Sequence, residues 1–354
     1  MIHKPELLAP AGHPEAFYAA MNAGADAVYV GGKDFSARAG ATNFTQDELL
    51  HAIEYAHLYQ KKVYLTLNTL LKDDEIERLY DTITPLANEG LDAVLVQDIG
   101  VLSYLRRTFP HLAIHASTQM MIDSDLSFDL LAKLGVSRVV LARELSLAEI
   151  KDIKHCSPDE GIHQRTQSKD RMEIEVFIHG AMCYSYSGAC YFSSMLGERS
   201  ANRGRCAQPC RLPYRVGASG EYLLSMRDLC GIHRLPELIL AGVNSFKIEG
   251  RMKRSEYVAG VTSIYRKYLD RAYEMILRQK NSEEMKIESS DLEILKSLYL
   301  RSKQGEGYFC QRNGEALLTM DSCTYRETPP HILERVRQQI SFEPTKLPVC
   351  MEMH

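Results

Sequence analysis

Five of the nine cysteines stand close together: Cys183, Cys190, Cys206, Cys210 and Cys230. The first four follow the spacing Cys183-x6-Cys190-x15-Cys206-x3-Cys210. Four thiolates gathered in one place bind zinc or an iron–sulfur cluster. Structural zinc sites use two tight pairs with roughly two to four intervening residues. One pair here has six, which suits the wider cluster better. Glycines 180, 188 and 204 flank these cysteines, where backbone amides can approach cluster sulfurs. A set of free thiols is the plain alternative. Cys230, twenty residues after Cys210, is an alternative fourth ligand. Cys156, Cys310, Cys323 and Cys350 are scattered and read as small buried hydrophobes.

The same stretch is basic. It holds Arg199, Arg203, Arg205, Arg211 and Arg227, with Tyr184, Tyr186, Tyr191 and Phe192 interleaved. Lys247, Arg251, Lys253 and Arg254 follow. Arginine among aromatics suits an anionic, unstacked nucleotide. A solvated rim accounts for the same residues. The net charge is −4, so any nucleic-acid contact must come from a local patch.

The elements that must position these residues repeat one grammar. Amphipathic stretches end at Gly24, Gly90, Gly135 and Gly242, and a short apolar run follows each. A glycine just past a helix is a left-handed cap, and the apolar run reads as a buried strand. Eight candidate strands emerge: Glu6–Ala9, Ala27–Val30, Val63–Leu67, Ala93–Val96, Leu112–His115, Val139–Ala142, Ile174–Ile178 and Ser245–Ile248. Helical patterns such as Gln46–Tyr59 and Glu75–Asn88 lie between them, the second with Asp73 or Asp74 as a candidate cap. This predicts an α/β fold, a (β/α)8 TIM-like barrel over residues 1–276 with an open doubly wound sheet as the alternative. A long cysteine-rich insert, 180–243, separates strands seven and eight. Arg254–Ile276 reads as a closing helix, and Ser157–Asp170 as a polar surface loop. Residues 277–354 are a C-terminal extension, or the first part of a second domain, with a helix at Asp291–Ser302 and a strand-like end at Val349–His354.

The 354 residues are 45% hydrophobic and 25% charged, ordinary for a globular chain. No apolar run approaches transmembrane length, and the start Met1–Glu6 lacks a signal-peptide core. The expectation is a cytoplasmic protein with no membrane partner.

Chemistry in such barrels sits at the C-terminal strand ends. Those ends carry Asn68, Asp98, His115, Gln119, Arg143, Glu144, His179, Glu249 and Arg251. Glu175–Cys183 with Ser187–Cys190, Asn202–Arg211 and Lys247–Arg251 resemble the signature blocks of the U32 peptidase family. Leu65–Thr69, Val96–Asp98, His115–Gln119 and Leu141–Leu145 are most similar to its RNA-hydroxylating members. The resemblance covers about residues 5–275. It implies a 4Fe–4S cluster on Cys183, Cys190, Cys206 and Cys210. It also implies C5 hydroxylation of a pyrimidine: 5-hydroxycytidine in 23S rRNA, or 5-hydroxyuridine in tRNA. His115, Gln119, Asp98 and Glu249 are then candidates for orienting the base or moving protons. Asn68, Arg203 and Arg205 are candidates for contacting RNA. Arg143 and Arg251 are candidates for a phosphate, or for a carboxylate oxygen donor such as prephenate, which the resemblance brings in.

Two other classes stay open. A peptidase is implied by the family name, with Ser117–His115 or Cys183–His179 as conceivable dyads, yet no G-x-S-x-G or H-E-x-x-H motif is present. A non-catalytic iron–sulfur RNA-binding protein is the third.

Overall fold

The computed structural model describes residues 2–38, 40–155, 172–217, 219–279, 285–300, 303–320 and 327–345. Eight parallel strands close on themselves: β1 (Glu6–Pro10), β2 (Ala27–Val30), β3 (Lys62–Leu67), β4 (Ala93–Val96), β5 (Ala113–Ala116), β6 (Val136–Val140), β7 (Glu173–Gly180) and β8 (Ser245–Ile248). Phe246 of β8 lies opposite Val176 of β7 on one side and Leu7 of β1 on the other, which completes the ring. This is the barrel expected from the sequence, and it excludes an open sheet. The four punctuating glycines adopt φ of +91°, +92°, +85° and +79°, the left-handed turn that a Cβ would strain.

Boundaries differ in places. β6 starts at Val136, directly after its glycine, because Val136 already pairs with Ile114. The helix expected over Glu75–Asn88 is two pieces, Asp73–Ile76 and Leu79–Asn88. Asp73 and Asp74 lie in its first turn and do not cap it; Glu75 reaches back to the Lys72 N–H at 2.8 Å. The extension helix is Ser289–Ser297, shorter than expected.

The barrel interior is partly ionic. Glu175, fully buried, accepts from Lys247 at 2.8 Å and Arg138 at 3.2 Å. Arg138 also holds Glu173 at 2.7 Å, and Tyr64 donates to Glu6 at 2.7 Å. Every charge here has a partner, which such burial demands.

The insert, 181–244, returns a short strand, Asp228–Cys230, antiparallel to the end of β7, with Cys230 opposite His179. The helix Ser255–Leu277 then packs on the barrel and carries the extension. Leu298 lies where a Cβ on Gly260 would come within 2.5 Å, and Arg337 of the helix Pro330–Gln339 pairs with Glu256. Asn22 donates to the carbonyls of Ser341 and Glu343 at 2.8 and 2.9 Å. One apolar core runs from Leu7 to Val336. The described part of 277–354 is therefore built onto the barrel's own core.

Cys310 is exposed and not a buried hydrophobe. Cys156, Cys323, Cys350, the stretch Ser157–Asp170 and the Val349–His354 segment lie outside the described residues. Among the described residues no helix is long and apolar enough to cross a membrane.

Candidate active site

Glu249 follows β8 directly, and its backbone is pinned: its N–H donates to the His179 carbonyl at 2.9 Å and its carbonyl accepts from Tyr257 at 2.8 Å. Gly180 permits this approach, since its φ is +114° and a Cβ there would stand 2.6 Å from the Glu249 carbonyl oxygen. The Glu249 carboxylate accepts from Arg143 at 2.8 Å and from Arg38 at 3.3 Å on both oxygens. Burial alone would raise its pKa, but the charges of Arg38 and Arg143 and the Arg143 hydrogen bond hold it at about 2. It is thus ionised near neutrality. Such a carboxylate orients cations and does not carry protons at that pH.

Arg143 is 9% exposed. It donates to the Ala181 carbonyl at 3.0 Å and lies over the Phe177 ring at 3.8 Å, and its Nε has no partner among the described residues. Arg38, on the loop after β2, is a member of this centre that the sequence did not single out. Its only signal was a cation among small residues at a strand end, and nothing local marks its partner 211 positions away.

Arg251 departs from its expected role. It is 3% exposed and donates to the hydroxyls of Ser36 and Thr66. Burial first, and then the Arg38 charge, push its pKa down to about 10. A Cβ on Gly31 would come within 2.3 Å of its Nη1. Arg251 therefore anchors the loop that carries Arg38, with its guanidinium buried against Ser36 and Thr66.

Asn68 and Gln119 meet across the mouth at 2.9 Å, and Asn68 also accepts the Ala37 N–H at 3.1 Å. These half-buried amides tie together the ends of β3 and β5. Asp98 is elsewhere engaged. One carboxylate oxygen caps the helix Ile99–Thr108 through Gly100 (2.7 Å) and Val101 (3.2 Å), and the other accepts from Leu71 at 3.2 Å. Helix capping, not proton transfer, is its placement.

His115 lies inside the barrel, edge-on to Tyr64 with ring centroids 4.9 Å apart. Burial, then Arg138 and Lys247, push its pKa well below the usual histidine range, so it is neutral. This corrects its expected place as an acid–base residue at the mouth. His179 faces Tyr265 at 3.2 Å, and burial, then Lys253, bring its pKa to about 3. The Ser117 hydroxyl points to Gln119 at 3.4 Å. Neither conceivable peptidase dyad is hydrogen-bonded among the described residues.

The four clustered cysteines form one electrostatic group. Burial raises the Cys183 thiol, and Cys190 and Cys206 add to this. Cys210 is raised by burial and then by Cys183, Cys206 and Cys190, against an opposing Arg211. Three of the sulfurs accept the N–H two residues on: Cys183 from Ser185, Cys190 from Phe192 at 3.4 Å, and Cys206 from Gln208 at 3.3 Å. Such donors stabilise thiolate over thiol. Cys230 stands apart. It is partly buried and packed against the core, its sulfur 3.9 Å from the Tyr265 hydroxyl. No set of three His, Cys, Asp or Glu among the described residues is arranged as a single-ion site.

The insert's arginines divide by role. Arg203 clamps Glu75, whose pKa this hydrogen bond and the Lys72 N–H bring to about 2, and it donates to the Leu70 carbonyl at 3.1 Å. Arg203 thus fastens the insert to the segment after β3, at Leu70 and Glu75. Arg211 is buried and bonded to Ser225 and the Met182 carbonyl. Arg205 is exposed with no ion pair among the described residues, and its carbonyl accepts from the exposed Arg199 at 3.2 Å.

The sequence profile of a family described as Peptidase family U32 matches residues 12–318. The chain is 44% identical over 275 residues to a 23S rRNA 5-hydroxycytidine C2501 synthase of Escherichia coli (strain K12), covering 76% of this chain and 40% of that protein. It is 38% identical over 280 residues to tRNA hydroxylation protein P1 of Bacillus subtilis (strain 168), covering 75% and 63%. It is 39% identical over 276 residues to a protein of Methanocaldococcus jannaschii named as an uncharacterized protease, covering 75% and 65%. The matched region therefore spans 40% to 65% of the length of these relatives.

Proposed function

The chain belongs to peptidase family U32, and from that premise we propose that it is an iron–sulfur-dependent RNA-modifying hydroxylase. The reaction is hydroxylation of carbon 5 of a pyrimidine, with cytidine in 23S rRNA ahead of uridine in tRNA. The observation that carries this reading is the four-thiol group with backbone N–H donors on three sulfurs, set beside a fixed arginine–carboxylate centre at a barrel mouth. The names of the RNA-hydroxylating relatives support the same reading. Ribosomal or transfer RNA as substrate implies a cytoplasmic setting.

Cys183, Cys190, Cys206 and Cys210 would hold a 4Fe–4S cluster, and their mutual proximity and N–H donors fit thiolates bound to iron. The cluster, when bound, supplies one-electron transfer. The remaining work falls to the chain's own side chains. Glu249 stays ionised and fixes Arg38 and Arg143 in place. Those two guanidiniums offer positive charge to an anionic oxygen donor, for which a carboxylate such as prephenate is the candidate. Asn68 and Gln119 present amide groups to the base edge. Arg205 is the phosphate contact.

The peptidase reading lacks a nucleophile paired with a base, since Ser117 and His179 have other partners. Mass spectrometry of digested RNA from a deletion strain tests the proposal. A 5-hydroxypyrimidine should vanish and return with the wild-type gene but not with Cys206→Ala. An unchanged nucleoside profile, or peptide cleavage that survives Cys206→Ala, would overturn it. Unchanged RNA together with tight RNA binding would favour the non-catalytic class.

A further inference from the structure

The segments that carry the four clustered cysteines are joined in two ways. Those of Cys190 and Cys206 meet through short polar contacts. The Ser193 hydroxyl accepts from the Ala207 N–H at 3.1 Å and lies 3.9 Å from the Cys206 sulfur, and the Cys190 N–H donates to the Asn202 side chain at 3.5 Å. Those of Cys183 and Cys210 are joined by one side chain, Arg211, which follows Cys210 directly and is 8% exposed. One arm of its guanidinium donates to the carbonyl of Met182, the residue before Cys183, at 2.7 Å. The other donates to the Ser225 hydroxyl at 2.8 Å and to the Met226 carbonyl. These last acceptors are themselves held from the extension. The Thr319 N–H donates to the Ser225 carbonyl at 2.7 Å, the Arg227 N–H donates to the Leu317 carbonyl at 2.8 Å, and Met226 pairs with Leu318.

We propose that Arg211 is the positioning residue of the fourth sulfur: its guanidinium ties the segment of Cys210 to that of Cys183 and so keeps Cys210 within reach of the iron that the other three thiolates hold. The inference rests on the iron–sulfur reading and adds to it a residue that touches no iron. Cys210 lies in the single turn Pro209–Arg211, closed by the Arg211 N–H on the Gln208 carbonyl at 2.9 Å and braced by the Tyr214 hydroxyl on the Pro209 carbonyl at 2.8 Å. Fixing the Arg211 side chain therefore fixes Cys210. Its partner Met182 is 29 positions away in the chain, so no local turn replaces this tie. A planar guanidinium donates in two directions at once, whereas a lysine ammonium keeps the charge as a single point. Met182, Ser225 and Met226 are all buried, and acceptors left there without a donor cost more than the bond they lose. None of these hydrogen bonds uses a sulfur, so all of them are compatible with thiolates bound to iron.

The test is iron loss from the anaerobically loaded full chain on adding ferricyanide. Ferricyanide takes one electron from a 4Fe–4S cluster in its 2+ state, a weakly held iron leaves as Fe2+, and a three-iron cluster with all irons ferric remains. Electron paramagnetic resonance follows that product. Arg211→Gln retains all four thiols, yet its three-iron signal should grow severalfold faster than that of the wild type. Arg211→Lys should behave like Arg211→Gln. Arg203→Ala, which frees the insert at Glu75 instead, should lose iron at the wild-type rate. Ser225→Ala removes a single acceptor and should still raise the rate above wild type, which keeps the test decisive where Arg211→Gln does not fold. Wild-type rates in Arg211→Gln or in Ser225→Ala would overturn the assignment. So would full rescue by Arg211→Lys, which would make charge alone the cause, or equal acceleration in Arg203→Ala, which would make it general loosening. All of these leave the iron–sulfur reading standing. A wild-type chain that takes up no iron would overturn both.

Discussion

Replacing Glu249 by Gln should destabilise the chain in a pH-dependent way. The carboxyl titrates at about 2 in the fold against an ordinary 4.5. At roughly 1.4 kcal/mol per unit this corresponds to about 3 kcal/mol. The sign follows from the depressed pKa: the stability is present in full above about 4.5 and is lost as pH falls through that value toward 2. Glutamine keeps the shape but cannot offset Arg143, which is 9% exposed and has no other carboxylate partner among the described residues. Breaking a buried pair from one side costs roughly 3–5 kcal/mol, in line with the titration figure. With about 2.1 cal/mol/K per residue over 354 residues, 3 kcal/mol lowers Tm by roughly 4 °C. Urea denaturation of the metal-free chain at pH 7, 4 and 3 measures this. The gap between wild type and variant should be about 3 kcal/mol at pH 7 and should shrink steadily toward acid. A gap that is constant with pH, or below about 1 kcal/mol at pH 7, would refute the claim that the two arginines hold this carboxylate ionised.

Alanine at Cys183, Cys190, Cys206 or Cys210 should remove iron and the absorbance near 400 nm from anaerobically purified protein, whereas Cys230→Ala should retain both; colour lost only with Cys230→Ala would move the fourth ligand into the core. Arg205→Ala should weaken RNA binding and reduce the salt slope by about one. Arg203→Ala should instead loosen the insert, read as faster proteolysis between residues 183 and 210, because its guanidinium is committed to Glu75.

The barrel was legible in the sequence because its signals are local. A glycine that must turn left-handed, followed by a run of β-branched and aliphatic residues, needs no knowledge of the rest of the chain, and Gly24, Gly90, Gly135 and Gly242 all turn that way. The cysteine spacing is likewise written in the sequence; the ligand those thiols take is not. Element ends were less so, since pairing across the sheet decided where β6 begins.

The tertiary structure alone decided which polar rim residues share a site. Asp98, His115 and Arg251 have the right types for catalysis, yet they serve as a helix cap, an interior ring and a loop anchor. Arg38 had no distinctive spacing and became part of the centre because β2 and β8 lie two strands apart in the closed ring. Strand pairing likewise sets Cys230 opposite His179 and against Tyr265. A residue's type announces what chemistry it is capable of. Its partners, and therefore its pKa and its role, come from chain segments that only closure of the barrel brings together.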